Sequence, residues 1–298
     1  MRYIIYTIIS VLMVSRAYAG DWQVLVEPHR MQSLSPEVTV IDIRPQASFA
    51  EGHIPGALNA PYALWHGPSE NPGAVPDEDQ LSAHLQSLGL TRDSSVVLTY
   101  AGRFAFDFGS AARVYWTLKS AGVEHIAILN GGHAAWEAAG LPVTVDSRSV
   151  QPSTERFTLS DRWRISTDEL LNVVNGKIEA QIIDARPFEF LEGMNQHAAA
   201  LEAGTIAGAA NIEHSVWFAP EAPGALHVSS PREAANVARQ AGIEVGSSLT
   251  LASFCDTGRL SATNWFVLSE LAGVENVRLY PESMVGWTRA GLETVVVE

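Results

Sequence analysis

Short apolar runs alternate along the chain with stretches whose apolar residues fall at helical spacing. Residues 38–43 (VTVIDI) predict a strand, and 79–88 predict a helix ending at Gly89. A strand is predicted over 96–100, a helix over 108–121 ending at Gly122, and a strand over 126–129. Gly131 and Gly132 then turn the chain into a short helix over 134–139, stopped by Gly140 and Pro142. Residues 22–31 predict a short helix before all of this. The stretch 52–60 (GHIPGALNA) reads as a tight turn into a short extended segment, and 66–79 as a polar Pro/Gly loop. Strands alternating with helices predict a parallel sheet covered on both faces.

After a polar stretch over 145–162 with no sustained apolar period, the same pattern returns. Gln181-Ile-Ile-Asp-Ala-Arg-Pro187 echoes Val40-Ile-Asp-Ile-Arg-Pro45, and Gly204-Thr-Ile-Ala-Gly-Ala-Ala-Asn211 echoes Gly52-His-Ile-Pro-Gly-Ala-Leu-Asn59. An apolar strand over 249–254 and a helix over 261–271 echo 96–100 and its helix. Residues 277–280 followed by Trp287 echo 128–130 followed by Trp136. The order of these echoes predicts a tandem duplication of one α/β unit. The expected segments are 1–19 as a leader, 20–144 and 163–298 as the two domains, and 145–162 as their linker.

The chain has 298 residues, 47% of them hydrophobic and 17% charged, enough apolar material for two cores. Its net charge of −14 argues against binding nucleic acid or an anionic membrane surface by charge. Arg2, the apolar run 3–14 and Ala17-Tyr18-Ala19 have the form of a secretory signal, so a periplasmic or secreted product is expected, with no membrane attachment after cleavage. The histidines show no metal-ligand spacing, and Gly131-Gly132 lies in no dinucleotide-binding pattern. Neither a metal nor an organic cofactor is expected.

One residue changes this picture. Cys255 is the only cysteine, so no internal disulfide can form. The predicted elements place it on a short strand-to-helix loop, Cys255-Asp256-Thr257-Gly258-Arg259-Leu260-Ser261. There, backbone N–H groups and the positive end of a helix favour a thiolate or a bound anion. An inert buried thiol is the alternative, and the loop context argues for a reactive one. By the spacing of the repeat, Cys255 aligns with Ala101, so the first copy lacks a nucleophile.

Asp-x-Arg-Pro, Gly-His-Ile-Pro-Gly-Ala-x-Asn, Phe-Gly-Ser-Ala-Ala-Arg-Val-Tyr-Trp and Leu-Asn-Gly-Gly-x-x-x-Trp resemble the N-terminal half of two-domain rhodaneses. These are the thiosulfate and 3-mercaptopyruvate sulfurtransferases. Cys255-Asp-Thr-Gly-Arg-Leu-Ser-Ala resembles their active-site loop, and the resemblance runs from about residue 35 to 290. It implies a tandem of rhodanese-like domains, each a parallel sheet flanked by helices, with the second catalytic. It also implies transfer of sulfane sulfur through a Cys255 persulfide to a thiophilic acceptor. The partners implied are small sulfur-containing anions or thiols and a protein sulfur acceptor, with the protein a monomer. Asp256, Thr257, Gly258, Arg259, Leu260 and Ser261 are the expected loop and substrate-binding residues, and Arg186 matches an arginine that contacts substrate in the family. Leu260 and the early Arg259 depart from the usual loop, and Glu189-Phe190 stand where a second arginine is common. Asp256 would repel a dianionic donor unless Arg259 offsets it. Two other readings are a sulfur carrier without fast turnover, and a phosphatase. The phosphatase loop needs an arginine where Ser261 stands.

Overall fold

The structure is a computed structural model that describes residues 22–34, 37–222 and 225–297. The leader proposed for residues 1–19 lies outside the described residues. In chain order the elements of the first half are β1 (Leu25–Val26), α1 (Pro28–Gln32), β2 (Thr39–Asp42), α2 (Gln46–Glu51), β3 (Leu58–Asn59), α3 (Glu78–Ser87), β4 (Ser95–Thr99), α4 (Ala105–Ser120), β5 (His125–Leu129) and α5 (Gly132–Ala138). The second half contains α6 (Thr167–Val174), β6 (Ala180–Asp184), α7 (Phe188–Leu191), β7 (Ala209–Asn211), β8 (Phe218–Ala222), β9 (Ala225–Val228), α8 (Pro231–Gln240), β10 (Thr250–Phe254), α9 (Leu260–Phe266), β11 (Val277–Leu279) and α10 (Ser283–Arg289). The strands form a five-stranded sheet, β1-β5-β4-β2-β3, a four-stranded sheet, β11-β10-β6-β7, and a separate β8–β9 hairpin.

Both large sheets are parallel, because every strand returns through a helix or turn on a sheet face. Their central strands are apolar on both faces, as in β4, where Val96, Val97 and Leu98 are fully buried. The helix predicted over 22–31 is confined to α1. Pro28 opens that helix at its first position, while Leu25 and Val26 pair with Ile128 and Leu129 as an edge strand. The 261–271 helix is also split, since α9 passes into a π-helical turn over Val267–Leu271. The stretch 145–160 has no helix or strand and lies along α3, where Ser82 Oγ and the buried Phe157 backbone exchange two hydrogen bonds.

The duplication extends to individual hydrogen bonds. Arg44 clasps Asp42 and reaches the Gly52 carbonyl, as Arg186 clasps Asp184 and reaches the Gly204 carbonyl. Asn59 Nδ2 donates to the carbonyls of Asp42 and Arg44, and Asn211 Nδ2 to those of Asp184 and Arg186. These pairs fix the register between the copies. Asp42 lies opposite Thr99, and Asp184 opposite Phe254. The counterpart of Cys255 is therefore Tyr100, and Ala101 is the counterpart of Asp256. The alignment of Cys255 with Ala101 is corrected by one residue. The next contacts agree: His133 and Ala134 N–H donate to the Tyr100 and Ala101 carbonyls, as Met284 and Val285 N–H do to Cys255 and Asp256.

The two halves meet along α4 and α9. Phe108 and Tyr115 pack edge-on against Phe266, and Lys119 of α4 pairs with Glu270 at 2.8 Å. Gly109 permits the closest approach, since a Cβ there would lie 2.7 Å from the Arg259 carbonyl. The hairpin also crosses the boundary. Leu226 N–H donates to the Gly102 carbonyl, and Val228 N–H to Asn130 Oδ1. Trp217 is fully buried and donates its indole N–H to Asn264 Oδ1.

Candidate active site

Cys255 follows directly on β10 and is 1% exposed. The strand holds it at the carboxyl edge of the second sheet, where the loop to α9 curls back over it. Gly258 lies at φ +72°, in the left-handed region, and a Cβ there would lie 2.5 Å from the Pro281 carbonyl and against Arg113 Nη1. Only glycine fits that turn.

A clamp fixes the loop from the far side. Ser283 Oγ accepts the N–H groups of Cys255 and Gly258, each at 3.1 Å, and donates to the Tyr280 carbonyl at 2.8 Å. The hydroxyl thus uses all of its donor and acceptor capacity. Ser283 has φ +52° and is the single non-glycine residue with positive φ among the described residues. Its counterpart in the first copy is Gly132, at φ +60°. The second copy keeps a side chain in a glycine conformation, and that side chain holds the cysteine loop.

Three further groups face the thiol region. Ser261 Oγ lies 3.4 Å from Cys255 Sγ, placed there by the first turn of α9. The N–H groups of Asp256, Thr257, Arg259 and Leu260 donate to no protein acceptor among the described residues. They are free for an anion at the loop centre. Thr257, Arg259 and Leu260 are part-exposed on its outer edge.

Arg186 and Arg259 divide the electrostatic work differently from the expectation. Arg186 is 1% exposed and reaches the loop through Asp256, whose Oδ1 lies 3.1 Å from its Nη1. The cation that offsets Asp256 is Arg186. Arg259 instead crosses to the first domain, donating Nε–H to the Phe106 carbonyl and lying over the Phe106 and Tyr62 rings. Burial pushes the Asp256 carboxyl up, and the Arg186 guanidinium pulls against that shift.

The sequence did not mark Arg113. It projects from α4, is fully buried, and donates Nη2–H to the Gly73 carbonyl at 2.9 Å. Its Nε and Nη1 have no hydrogen-bond partner among the described residues, and Nη1 lies beneath Gly258. Burial pulls this guanidinium down, while Tyr62, Glu282 and Cys255 favour its charge. The motif that contains Arg113 is visible in the sequence. Its site role is not, because Gly73, Gly258 and Pro281 come from three distant segments. No cluster of three metal-ligating side chains occurs among the described residues.

A cysteine at a strand end, free loop N–H groups, a buried cation beneath and the Ser261 hydroxyl can together accept and hold an anionic sulfur species. Comparison with known proteins agrees with this arrangement. The thiosulfate sulfurtransferase of Azotobacter vinelandii is 29% identical over 267 residues, covering 88% of this chain and 93% of that protein. The 3-mercaptopyruvate sulfurtransferase of Escherichia coli is 26% identical over 264 residues, covering 85% of this chain and 89% of that one. The crystal structure of SseA from Escherichia coli superposes with a TM-score of 0.74 at 23% identity, covering 88% of this chain and 98% of SseA, which shows a common fold. The rhodanese-like domain matches twice, over residues 28–139 and 166–290, and the chain belongs to that family.

Proposed function

We propose that this protein is a sulfurtransferase that carries sulfane sulfur on Cys255. The Cys255 thiolate attacks the outer sulfur of thiosulfate or the thiol sulfur of 3-mercaptopyruvate. The donor's bond to that sulfur breaks, and the leaving group (sulfite or the pyruvate enolate) departs with the electron pair. A Cys255 persulfide remains, its negative charge facing the free N–H groups of the loop. A thiophilic acceptor, cyanide or a thiol, then attacks the outer sulfur and returns the Cys255 thiolate. This is double displacement and predicts ping-pong kinetics.

The observation that carries this reading is the loop itself: Cys255 held by Ser283 with four neighbouring backbone N–H groups unclaimed. Relatives named thiosulfate and 3-mercaptopyruvate sulfurtransferase over most of the chain support it. The reading includes a protein thiol as an acceptor, a monomer, and export after cleavage before Gly20. Sequencing the N-terminus of the secreted product tests the last of these. The function is tested by thiocyanate production from cyanide with each donor. Wild type turns over and Cys255→Ser does not. Equal rates for the two would overturn the assignment. Persulfide loading without turnover would favour the sulfur-carrier reading.

A further inference from the structure

The register between the two copies exposes an unmatched cation in the first one. In the second copy, Arg186 Nη1 is taken by the Asp256 carboxylate. In the first, Arg44 repeats the other side-chain hydrogen bonds of Arg186: Nε and Nη2 to its aspartate, and Nη2 to a glycine carbonyl. Ala101 stands where Asp256 would be, and Arg44 Nη1 has no hydrogen bond among the described residues. A cavity of about 250 Å³ lies beside this pair, with Arg44, Tyr62, Tyr100, Ala101, Ser110 and Arg259 among its lining residues. Arg259 contributes a second guanidinium, whose Nε is held by the Phe106 carbonyl while its two terminal nitrogens make no hydrogen bond among the described residues.

We propose that this cavity binds a small carboxylic acid, held by Arg44 Nη1 as Arg186 Nη1 holds the Asp256 carboxylate. The missing carboxylate of the repeat is supplied by the ligand. Arg44 is half of a fixed, buried pair with Asp42, so its free nitrogen is already oriented and binding orders little. Arg259 and Ser110 complete the donors around the acid. Asp107 also lines the cavity and limits the ligand's charge. Its Oδ2 accepts the N–H groups of Arg103 and Phe104, and its negative charge disfavours a second carboxylate on the ligand. The volume suits an acid of two to four carbons. Because Arg259 belongs to the loop of Cys255, an acid held here restrains that loop from the opposite domain. Binding here involves no covalent step.

The test is a titration of ¹⁵N-labelled protein with propionate and with pyruvate, following the Ala101 and Gly102 amides. Ala101→Asp places a carboxylate where Asp256 has one, and Ala101→Asn fills the same space without charge. Wild type and Cys255→Ser should show saturable shifts at these amides, and both Ala101 variants should bind at least tenfold more weakly. Undiminished binding in both Ala101 variants would overturn the proposal. So would shifts confined to residues 255–261, or the absence of saturation in wild type.

Discussion

Replacing Ser283 separates two opposing effects at a single position. The hydroxyl satisfies the buried N–H groups of Cys255 and Gly258, and no other acceptor serves either of them. Stranding a buried N–H costs roughly 1–3 kcal/mol, so losing both places Ser283→Ala about 2–6 kcal/mol below wild type. The backbone at φ +52° works the other way. A left-handed conformation costs a non-glycine residue about 1–2 kcal/mol, and glycine's extra chain entropy returns about 0.5–1 kcal/mol of that difference. Ser283→Gly should therefore fall below wild type but remain roughly 0.5–1 kcal/mol above Ser283→Ala. Gly132, at φ +60° in the first copy, is the natural form of that replacement. Denaturant unfolding gives the stabilities, and the rate of persulfide formation reports the loop. Both variants should load sulfur more slowly than wild type, because the N–H groups around Cys255 lose their anchor. If Ser283→Ala lies within about 0.5 kcal/mol of wild type, or above Ser283→Gly, the clamp is not what holds the loop.

Three other outcomes follow from the same geometry. Arg113→Met should leave stability near wild type, because Nε and Nη1 have no partner among the described residues and only the bond from Nη2 to the Gly73 carbonyl is lost. The same change should slow sulfur loading by about tenfold, the scale of one lost interaction of roughly 1.4 kcal/mol with developing negative charge. Unchanged loading measured by stopped-flow would remove Arg113 from the site. Asp256 has its carboxyl raised by burial above the usual 3.8, so the folded protein holds that proton more tightly than the unfolded chain. Its stabilising contribution is then full below 3.8 and is lost as pH rises through the folded value. Asp256→Asn should accordingly gain on wild type between pH 4 and pH 7, and a gap that narrows over that interval refutes the sign. His84, His133 and His214 are all pushed down by burial from 6.5. Stability should therefore fall as pH drops below about 6.5, where the unfolded chain protonates first, and a flat profile between pH 7 and 5 would contradict this.

The strand and helix pattern of both halves was legible because each element carries its own period and its own glycine stop. The duplication was legible through Asp-x-Arg-Pro and the glycine turns, which are local and polar. The alignment of Cys255 with a twin was off by one because the strands ahead of the two positions, Ser95–Thr99 and Thr250–Phe254, share no residue that marks a common register. Val96 to Leu98 carry no polar mark to set the register, and only the hydrogen bond from Ile43 N–H to the Thr99 carbonyl decides it. The hairpin of β8 and β9 was not visible either. Its short strands pair with each other, and its place is fixed by Gly102 and Asn130 of the other domain. Cys255 and Gly258 could be read from a strand, a loop and a helix in sequence. Arg113 and the true partner of Asp256 could not, since each depends on side chains brought together from distant parts of the chain. Ser283 shows the same limit. Its residue type suggests a helix start, while its function rests on a backbone angle that the sequence does not display.

The central claim is that Cys255 accepts a sulfur atom and holds it as a persulfide. Intact-mass measurement after incubation with thiosulfate, and separately with 3-mercaptopyruvate, reads this directly. The account predicts the mass of one added sulfur on wild type with at least one donor, its loss on adding cyanide, and no addition to Cys255→Ser. Wild type that gains no sulfur from either donor, or Cys255→Ser that gains it equally, would contradict the account.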